Sequence, residues 1–397
     1  SIYVNGNPYT DYNNKIIQDL SSNENTIRMK WNALTSCNYM FSDLNNIKDI
    51  EFISFDTPTV KNMSFMFSGC SSLSSINFND FNTSSVEDMR NMFSNCSSLL
   101  SLNLNSFCTS LVSNMSYMFQ NCTNLISLDL LSLNTSSVKD MKYMFFQCNS
   151  LQSLNLNNFN TYSVVYMQYM FSHCNSLPSL NLNNFLTTRV INMASMFSAC
   201  SNLLTLNLDH FDTHQVTDMS LMFYGCSSLT SLDLNTCETP KVTKMFGMFN
   251  GCTNLMALRL DNFQNPNNNK ANFTNMFKGC KTNLLICINK DKADRIISLL
   301  NNYTSDCSDF CPINDCYDLN NDKTDEKTDK NEITDKFEKT DENEKTDKNE
   351  KTDKNEITDE NDITDENEKT DENEKTEKDK ILVDCDSRQL FNDECNI

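Results

Sequence analysis

An α/β repeat solenoid, built from stacked coils of strand, turn and short helix, is the fold this sequence predicts, and three observations predict it. The dipeptide Met-Phe recurs at Met66-Phe67, Met92-Phe93, Met118-Phe119, Met144-Phe145, Met170-Phe171, Met196-Phe197, Met222-Phe223 and Met248-Phe249, always 26 residues apart. A cysteine stands three residues after each of these phenylalanines, at Cys70, Cys96, Cys122, Cys148, Cys174, Cys200, Cys226 and Cys252. Within each period the apolar spacing changes from alternation to i, i+3, i+4, i+7, which is a strand pattern giving way to a helical stripe. Self-similarity at a fixed period of this length is the mark of an array whose coils bury one another.

The unit from Leu73 to Cys96 shows each element in order. Ile76 and Phe78 alternate with polar residues and so share one face of a short strand. Phe81-Asn82-Thr83 makes a turn, for which Asn and Thr suit because their side chains bond the local backbone. Val86, Met89, Phe93 and Cys96 then read as a two-turn helix. A helix that short is marginal by itself in water, so the coils must stack, leucine over leucine and phenylalanine over phenylalanine. The array runs over 37–280, with a degenerate first unit (Met40-Phe41, Leu44 replacing the cysteine) and a last one arriving two residues late (Met276-Phe277, Cys280). Residues 1–36 read as an N-terminal cap and 281–318 as a cysteine-rich C-terminal cap.

The chain then changes in kind. From Asn321 to Lys380 a Lys-Thr-Asp-Glu-Asn-Glu theme carries 25 acidic and 13 basic residues, a net charge of −12 out of −21 for the chain. With almost nothing apolar to bury, 319–380 is expected to be a disordered linker. Asp318, Asn320 and Asp322 resemble the start of a calcium loop, but Lys323 stands where the loop needs glycine and Asp329 where it needs glutamate. Residues 381–397, with Cys385 and Cys395, read as the start of a second cysteine-containing segment. Outside the tail no basic patch is available to a nucleic acid backbone, so nucleic acid is excluded as a partner. No apolar run approaches the roughly 18 residues of a membrane span. Ser1 opens no charged-then-apolar leader, and no signal peptide or anchor is visible in this chain.

The unit L-x-x-L-x-L-x-x-F-x-T-x-x-V-x-x-M-x-x-M-F-x-x-C, as it stands from Leu73 to Cys96, resembles the 26-residue repeat of the BspA-like leucine-rich-repeat surface proteins, and the resemblance covers about Cys37 to Cys280. It implies a leucine-rich-repeat-like curved arc with one parallel β-sheet and short helices on the other side, display at a cell surface, and a role in adhesion.

The cysteine column Cys70, Cys96, Cys122, Cys148, Cys174, Cys200, Cys226 and Cys252 invites readings as a soft-metal site or as stacked disulfides. A cysteine closing an apolar stripe is better read as a small buried hydrophobe, and the tight C-x-x-C pairs of metal sites are missing. Cys287, Cys307, Cys311 and Cys316 read instead as two disulfides closing the array, their pairing open, which places the protein in an oxidising compartment. His173, His210 and His214 are too isolated for catalysis, and no nucleotide or nucleophile motif is present, so no cofactor, no metal and no enzymatic activity are expected. Of the sequons Asn62, Asn82, Asn95, Asn114, Asn121, Asn134, Asn272 and Asn302, the candidate for glycosylation is Asn302, outside the array.

The expected ligand-binding face is the polar side of the sheet: Asn77, Asn103, Asp129, Asn155, Asn181, Asn207, Asp233 and Arg259, flanked by serines and Thr205. The open sheet face of a repeat array is commonly its binding face, though stacked amides also serve simply as a solvated surface. The function expected is a non-enzymatic cell-surface or secreted binding or adhesion protein for protein or glycan ligands. An intracellular protein-protein interaction scaffold is the alternative, and an enzyme or metal-storage protein using the cysteine column a third reading.

Overall fold

The structure, a computed structural model, describes residues 2–4, 7–9, 25–29, 35–55, 58–78, 81–264, 271–282, 284–289, 292–299 and 380–385. The acidic segment, Cys307, Cys311, Cys316, Cys395 and Asn302 lie outside the described residues. Repeating coils stack with like residues over like, a leucine-rich-repeat-like architecture. In the coil from Leu99 to Cys122, Leu99, Leu102, Leu104, Phe107, Val112, Met115, Met118, Phe119 and Cys122 are all buried. The phenylalanine of each Met-Phe pair lies on the next, from Phe41 through Phe277, with near-parallel rings whose centroids are 5.5–5.7 Å apart. That separation exceeds the roughly 4.8 Å between hydrogen-bonded coils, so the rings are offset along the column, the arrangement their quadrupoles prefer.

Where the sequence predicts one parallel sheet, the described strands form separate short runs. Strand β1 (Ile2–Val4) pairs antiparallel with β2 (Asn7–Tyr9) and β3 (Asn25–Met29). Strand β4 (Asp49–Phe55) pairs in parallel with β5 (Ser75–Asn77), Ile50 opposite Ile76. Further on, β6 (Ser179–Leu180) pairs with β7 (Thr205–Leu206), and β8 (Ser231–Asp233), β9 (Ala257–Arg259) and β10 (Leu285–Cys287) form a three-stranded group. Between β5 and β6 the described residues of the sheet face are joined by the isolated bridge Asn103 to Asp129. The strands are short because their own asparagines end them. Asn103 Oδ1 accepts from Asn105 N at 3.0 Å, and Asp129, Asn155, Asn181 and Asn207 do the same to the residue two on. A side chain that bonds its own backbone this way substitutes a turn for the next rung of the ladder. Helix α1 (Asp294–Ile297) follows β10, and β11 (Lys380–Cys385) pairs in parallel with β3 and β4, so 381–385 lie within this strand.

The short helices expected over the Met-Phe segments are replaced by successive tight turns; α1 is the one α-helix among the described residues. In the coil 115–122 alternate N–H groups take different partners. Met118 N, Gln120 N and Cys122 N bond three residues back, to Met115 O, Tyr117 O and Phe119 O. Met115 N, Tyr117 N, Phe119 N and Asn121 N bond instead to the next coil, at Asp140 O, Lys142 O, Met144 O and Phe146 O, 2.8–3.0 Å away. No N–H is left for an i→i−4 helix ladder. Tyr117 (φ 60°) and Asn121 (φ 57°) are left-handed, and the same two positions are left-handed in most other coils. This face is therefore the continuous ladder of the array, with parallel bridges joining every coil from Ser36 to Asn272.

A threonine column locks the remaining corner. Thr83, Thr109, Thr135, Thr161, Thr187, Thr213 and Thr239 are fully buried. Each hydroxyl donates to a carbonyl of the next coil, as Thr161 Oγ1 does to Leu186 O at 3.0 Å, while Leu186 N donates back to Oγ1 at 2.7 Å. Thr161→Val removes the hydroxyl at constant shape and orphans both backbone groups, an expected loss of about 3 kcal/mol. Urea denaturation beside Thr161→Ser, which keeps the hydroxyl, checks this; equal midpoints for the two variants would refute it.

Candidate functional site

The sheet-face column is largely in place but partly spent. Asn103, Asp129, Asn155, Asn181 and Asn207 are exposed, while Asp233 and Arg259 are half-buried. Because their Oδ1 atoms terminate their own strands, the asparagines of the column offer a partner chiefly their Nδ2 donors. Asn181 Nδ2 already donates to Asn157 Oδ1 at 3.1 Å. Arg259 is engaged with Asp261 at 2.8 Å and Asp233 at 3.4 Å. Beside this column the sheet flank carries exposed Leu100, Ile126, Leu204 and Met256, all at one repeat position. Gln152, Pro178 and Thr230 interrupt this column, so it leaves no unbroken periodic signal in the sequence.

The turn face carries the aromatic chemistry that the sheet face lacks. Tyr143 stacks between Tyr117 and Tyr169 at 4.7 and 4.4 Å, with planes within 10°. Phe146 meets Tyr143 and Tyr169 edge-on, and His173 packs its edge against Phe146 at 5.5 Å. Lys142 Nζ pairs with Asp140 at 2.9 Å and stands over Tyr117 and Tyr166, which raises its pKa, first through the Asp140 hydrogen bond. The Tyr143 hydroxyl is pushed up to about 12, mainly by burial among its neighbours. All three stacked tyrosines hold φ between 57° and 60°, a region costing a bulky residue roughly 1–2 kcal/mol. Stacking, worth about 0.5–1.5 kcal/mol a pair, offsets that cost. Reading the segment as a helix hid this row; glycine or asparagine recurring two residues after the phenylalanine (Gly69, Asn95, Asn121, Gly225, Gly251, Gly279) is the signal that could have revealed it.

The eight column cysteines are fully buried, and each thiol donates to a phenylalanine carbonyl of the preceding coil, Cys122 Sγ to Phe93 O at 3.2 Å. Burial raises Cys122 and Cys200 to about 12 and drives Cys96, Cys148, Cys174 and Cys226 well above the ordinary thiol range. A protonated thiol is neither a metal ligand nor a nucleophile. Cys287 is disulfide-bonded, and so is Cys108, which lies within the array and outside the set Cys287, Cys307, Cys311 and Cys316 expected to form bridges. Cys108 occupies the corner position before Thr109, where other coils carry Asn82, Asn134 or Asp212, so only its departure from the repeat marks it. His210 and His214 do not pair. His214 bridges Asp212 (2.9 Å) and Glu238 (3.1 Å) of adjacent coils, and its pKa is raised, first by the hydrogen bond to Asp212. Among the described residues no group of three or more His, Cys, Asp or Glu is placed to hold a metal ion, and no helix is long and apolar enough to cross a membrane.

Comparison with known proteins gives one family match. The model of the family described as Mycoplasma protein of unknown function, DUF285, matches residues 14–125, 100–205 and 178–286. No curated protein matches the chain. Among solved structures it is similar to a leucine-rich repeat protein from Bacteroides ovatus, at 16% identity and TM-score 0.30, covering 73% of this chain and 77% of that one. It is also similar to an internalin from Listeria monocytogenes (18%, TM-score 0.25, covering 63% and 72%) and to a leucine rich cell surface protein from Faecalibacterium prausnitzii (15%, TM-score 0.20, covering 62% and 92%). At such TM-scores these likenesses carry no conclusion about what the chain binds.

Proposed function

We propose, from the premise that this chain belongs to the family described as Mycoplasma protein of unknown function, DUF285, that it is a non-enzymatic, surface-displayed or secreted binding protein that holds protein or glycan ligands along its coils. The observation that carries this reading is the row Tyr117, Tyr143 and Tyr169. Large amphipathic rings are kept at left-handed positions, half-exposed, beside Lys142, Phe146 and Tyr166, where nothing in the coil's own hydrogen bonding requires them. Aromatic side chains are the residues on which interfaces concentrate their energy. Rows of like groups at one-coil spacing suit many weak contacts to a repetitive ligand, so avidity supplies the strength. The sheet-face Nδ2 groups of Asn103, Asn155 and Asn207 add donors of the same kind on the other face. The disulfide-bonded Cys108 and Cys287 favour an oxidising compartment over the intracellular scaffold, and the resemblance of the repeat unit to BspA-like surface proteins points the same way.

The test has two readouts. Intact cells producing the native chain are treated with a membrane-impermeant biotin reagent, and the purified full chain is applied to an array of immobilised glycans and proteins. Labelling before lysis is expected, together with array binding that falls at least tenfold in Tyr117→Ser/Tyr143→Ser/Tyr169→Ser. Labelling only after lysis would move the protein to the scaffold reading.

A further inference from the structure

Beyond Tyr169 the ring column gives way to Ser195, Leu221 and then Gly247. The position held by Tyr117, Tyr143 and Tyr169 is Gly247 in its coil, while Tyr39, Phe65, Asn91, Ser195, Leu221 and Asn275 fill it elsewhere. Left-handed geometry by itself does not demand glycine here, since each of those side chains adopts it at φ 56–60°. At Gly247 the Leu221 side chain closes over the backbone: a Cβ would lie 2.7 Å from Leu221 Cδ2, so any larger residue must push that side chain aside. Beside it lies an open notch of about 320 Å³ with buried Gly247 as its floor.

The walls have a definite chemistry. Phe246 supplies a half-buried ring, and Asn250, Asn272, Thr274 and Asn275 supply amides and a hydroxyl. Asn272 Oδ1 accepts from Thr274 N at 2.9 Å, leaving its Nδ2 free to donate. Among the described residues the side chains of Asn250, Thr274 and Asn275 have no hydrogen-bond partner. Among the described residues no charged side chain lines the notch, whose wall also includes Leu221. Its volume falls at the small end of ligand sites, too small for a peptide segment with its side chains and suited to one compact ring.

We infer that this notch is a subsite for one neutral hexopyranose unit, its C–H face laid on Phe246 and its hydroxyls bonded by Asn250, Asn272, Thr274 and Asn275. Amides can both donate to and accept from a sugar hydroxyl, and an uncharged lining imposes no desolvated charge on a neutral guest. The inference rests on the binding-protein reading above and specifies one ligand class for it. A site open on one side, with few contacts, gives a single unit an affinity of about 1 mM. Binding stronger than that requires a chain of such units along neighbouring coils.

The test uses the full chain with four probes, the methyl glycosides of glucose, galactose, mannose and N-acetylglucosamine, and a neutral homopolymer of whichever binds. Saturation-transfer NMR is expected to show magnetisation passing to the ring C–H protons of at least one glycoside. Gly247→Tyr fills the notch and should abolish the transfer, with Leu221 displaced because its Cδ2 lies 2.7 Å from the new Cβ. Should that variant be destabilised, Asn250→Ala/Thr274→Val, which leaves the backbone untouched, must lower the transfer at least fivefold. A polymer that binds at least tenfold more tightly than its glycoside identifies a chain as the ligand, whereas equal affinities identify the free sugar. Absence of transfer from all four glycosides, or transfer unaltered in both variants, overturns the subsite. That failure is separable from failure of the general reading, because array binding sensitive to the tyrosine row would persist.

Discussion

Between pH 8 and pH 10 the array loses most of its stability. The eight buried column thiols stay protonated in the folded chain because burial raises Cys122 and Cys200 to about 12 and the others well above the ordinary value, whereas unfolded thiols ionise near 9.0. Folded pKa values above unfolded ones mean that the unfolded chain sheds protons first as pH rises. The stabilisation is thus complete below about pH 8.5 and is lost progressively toward 12. By pH 10 each thiol that ionises only in the unfolded chain costs on the order of 1 kcal/mol, and eight of them on the order of 10 kcal/mol, comparable with the stability of an ordinary domain. Urea midpoints at pH 7.5, 8.5, 9.5 and 10 should fall with increasing slope, and Cys148→Ala/Cys174→Ala should remove about a fifth of the pH dependence, because the raised thiols of Cys237 and Cys280 add to the eight of the column. A midpoint unmoved between pH 8 and 10 would sink the account.

Phe145→Ala at the middle of the stacked column is the most damaging single truncation we expect. It opens a cavity costing about 3–5 kcal/mol and breaks two ring stacks, to Phe119 at 5.6 Å and Phe171 at 5.7 Å. Because each coil of an array depends on its neighbours alone, the loss should uncouple the two halves and split one melting transition into two. Phe277→Ala at the end of the column breaks one stack, to Phe249, and should only lower the midpoint. Calorimetry of both variants distinguishes them: a single transition in each, shifted equally, would show that the column does not carry cooperativity along the array.

The fold was legible to the extent that burial is periodic. Val112, Met115, Met118, Phe119 and Cys122 are buried as their spacing requires, and the cysteine column closes every coil from Cys70 to Cys252. The helix reading failed at the same residues. Apolar groups at i, i+3, i+4 and i+7 fall on one side whether the chain is an α-helix or a run of i→i+3 turns reset by left-handed residues. The candidate binding column was legible as exposed, yet its asparagines could be recognised as strand terminators only once Asn105 N was seen on Asn103 Oδ1. Hydrogen bonds between residues 25 apart, such as the threonine corner, leave no mark in a local pattern.

By itself, then, the sequence determined which side chains enter the core, in what period, and with which cysteines closing each coil, because the hydrophobic effect reads spacing and composition directly. Only the tertiary structure decided where the backbone N–H groups go. Each segment could satisfy them within itself or on the neighbouring coil, and the choice of the neighbour replaced the expected helices with turns. That same choice set the tyrosine row on a half-exposed face and left the notch at Gly247, three coils beyond the last tyrosine.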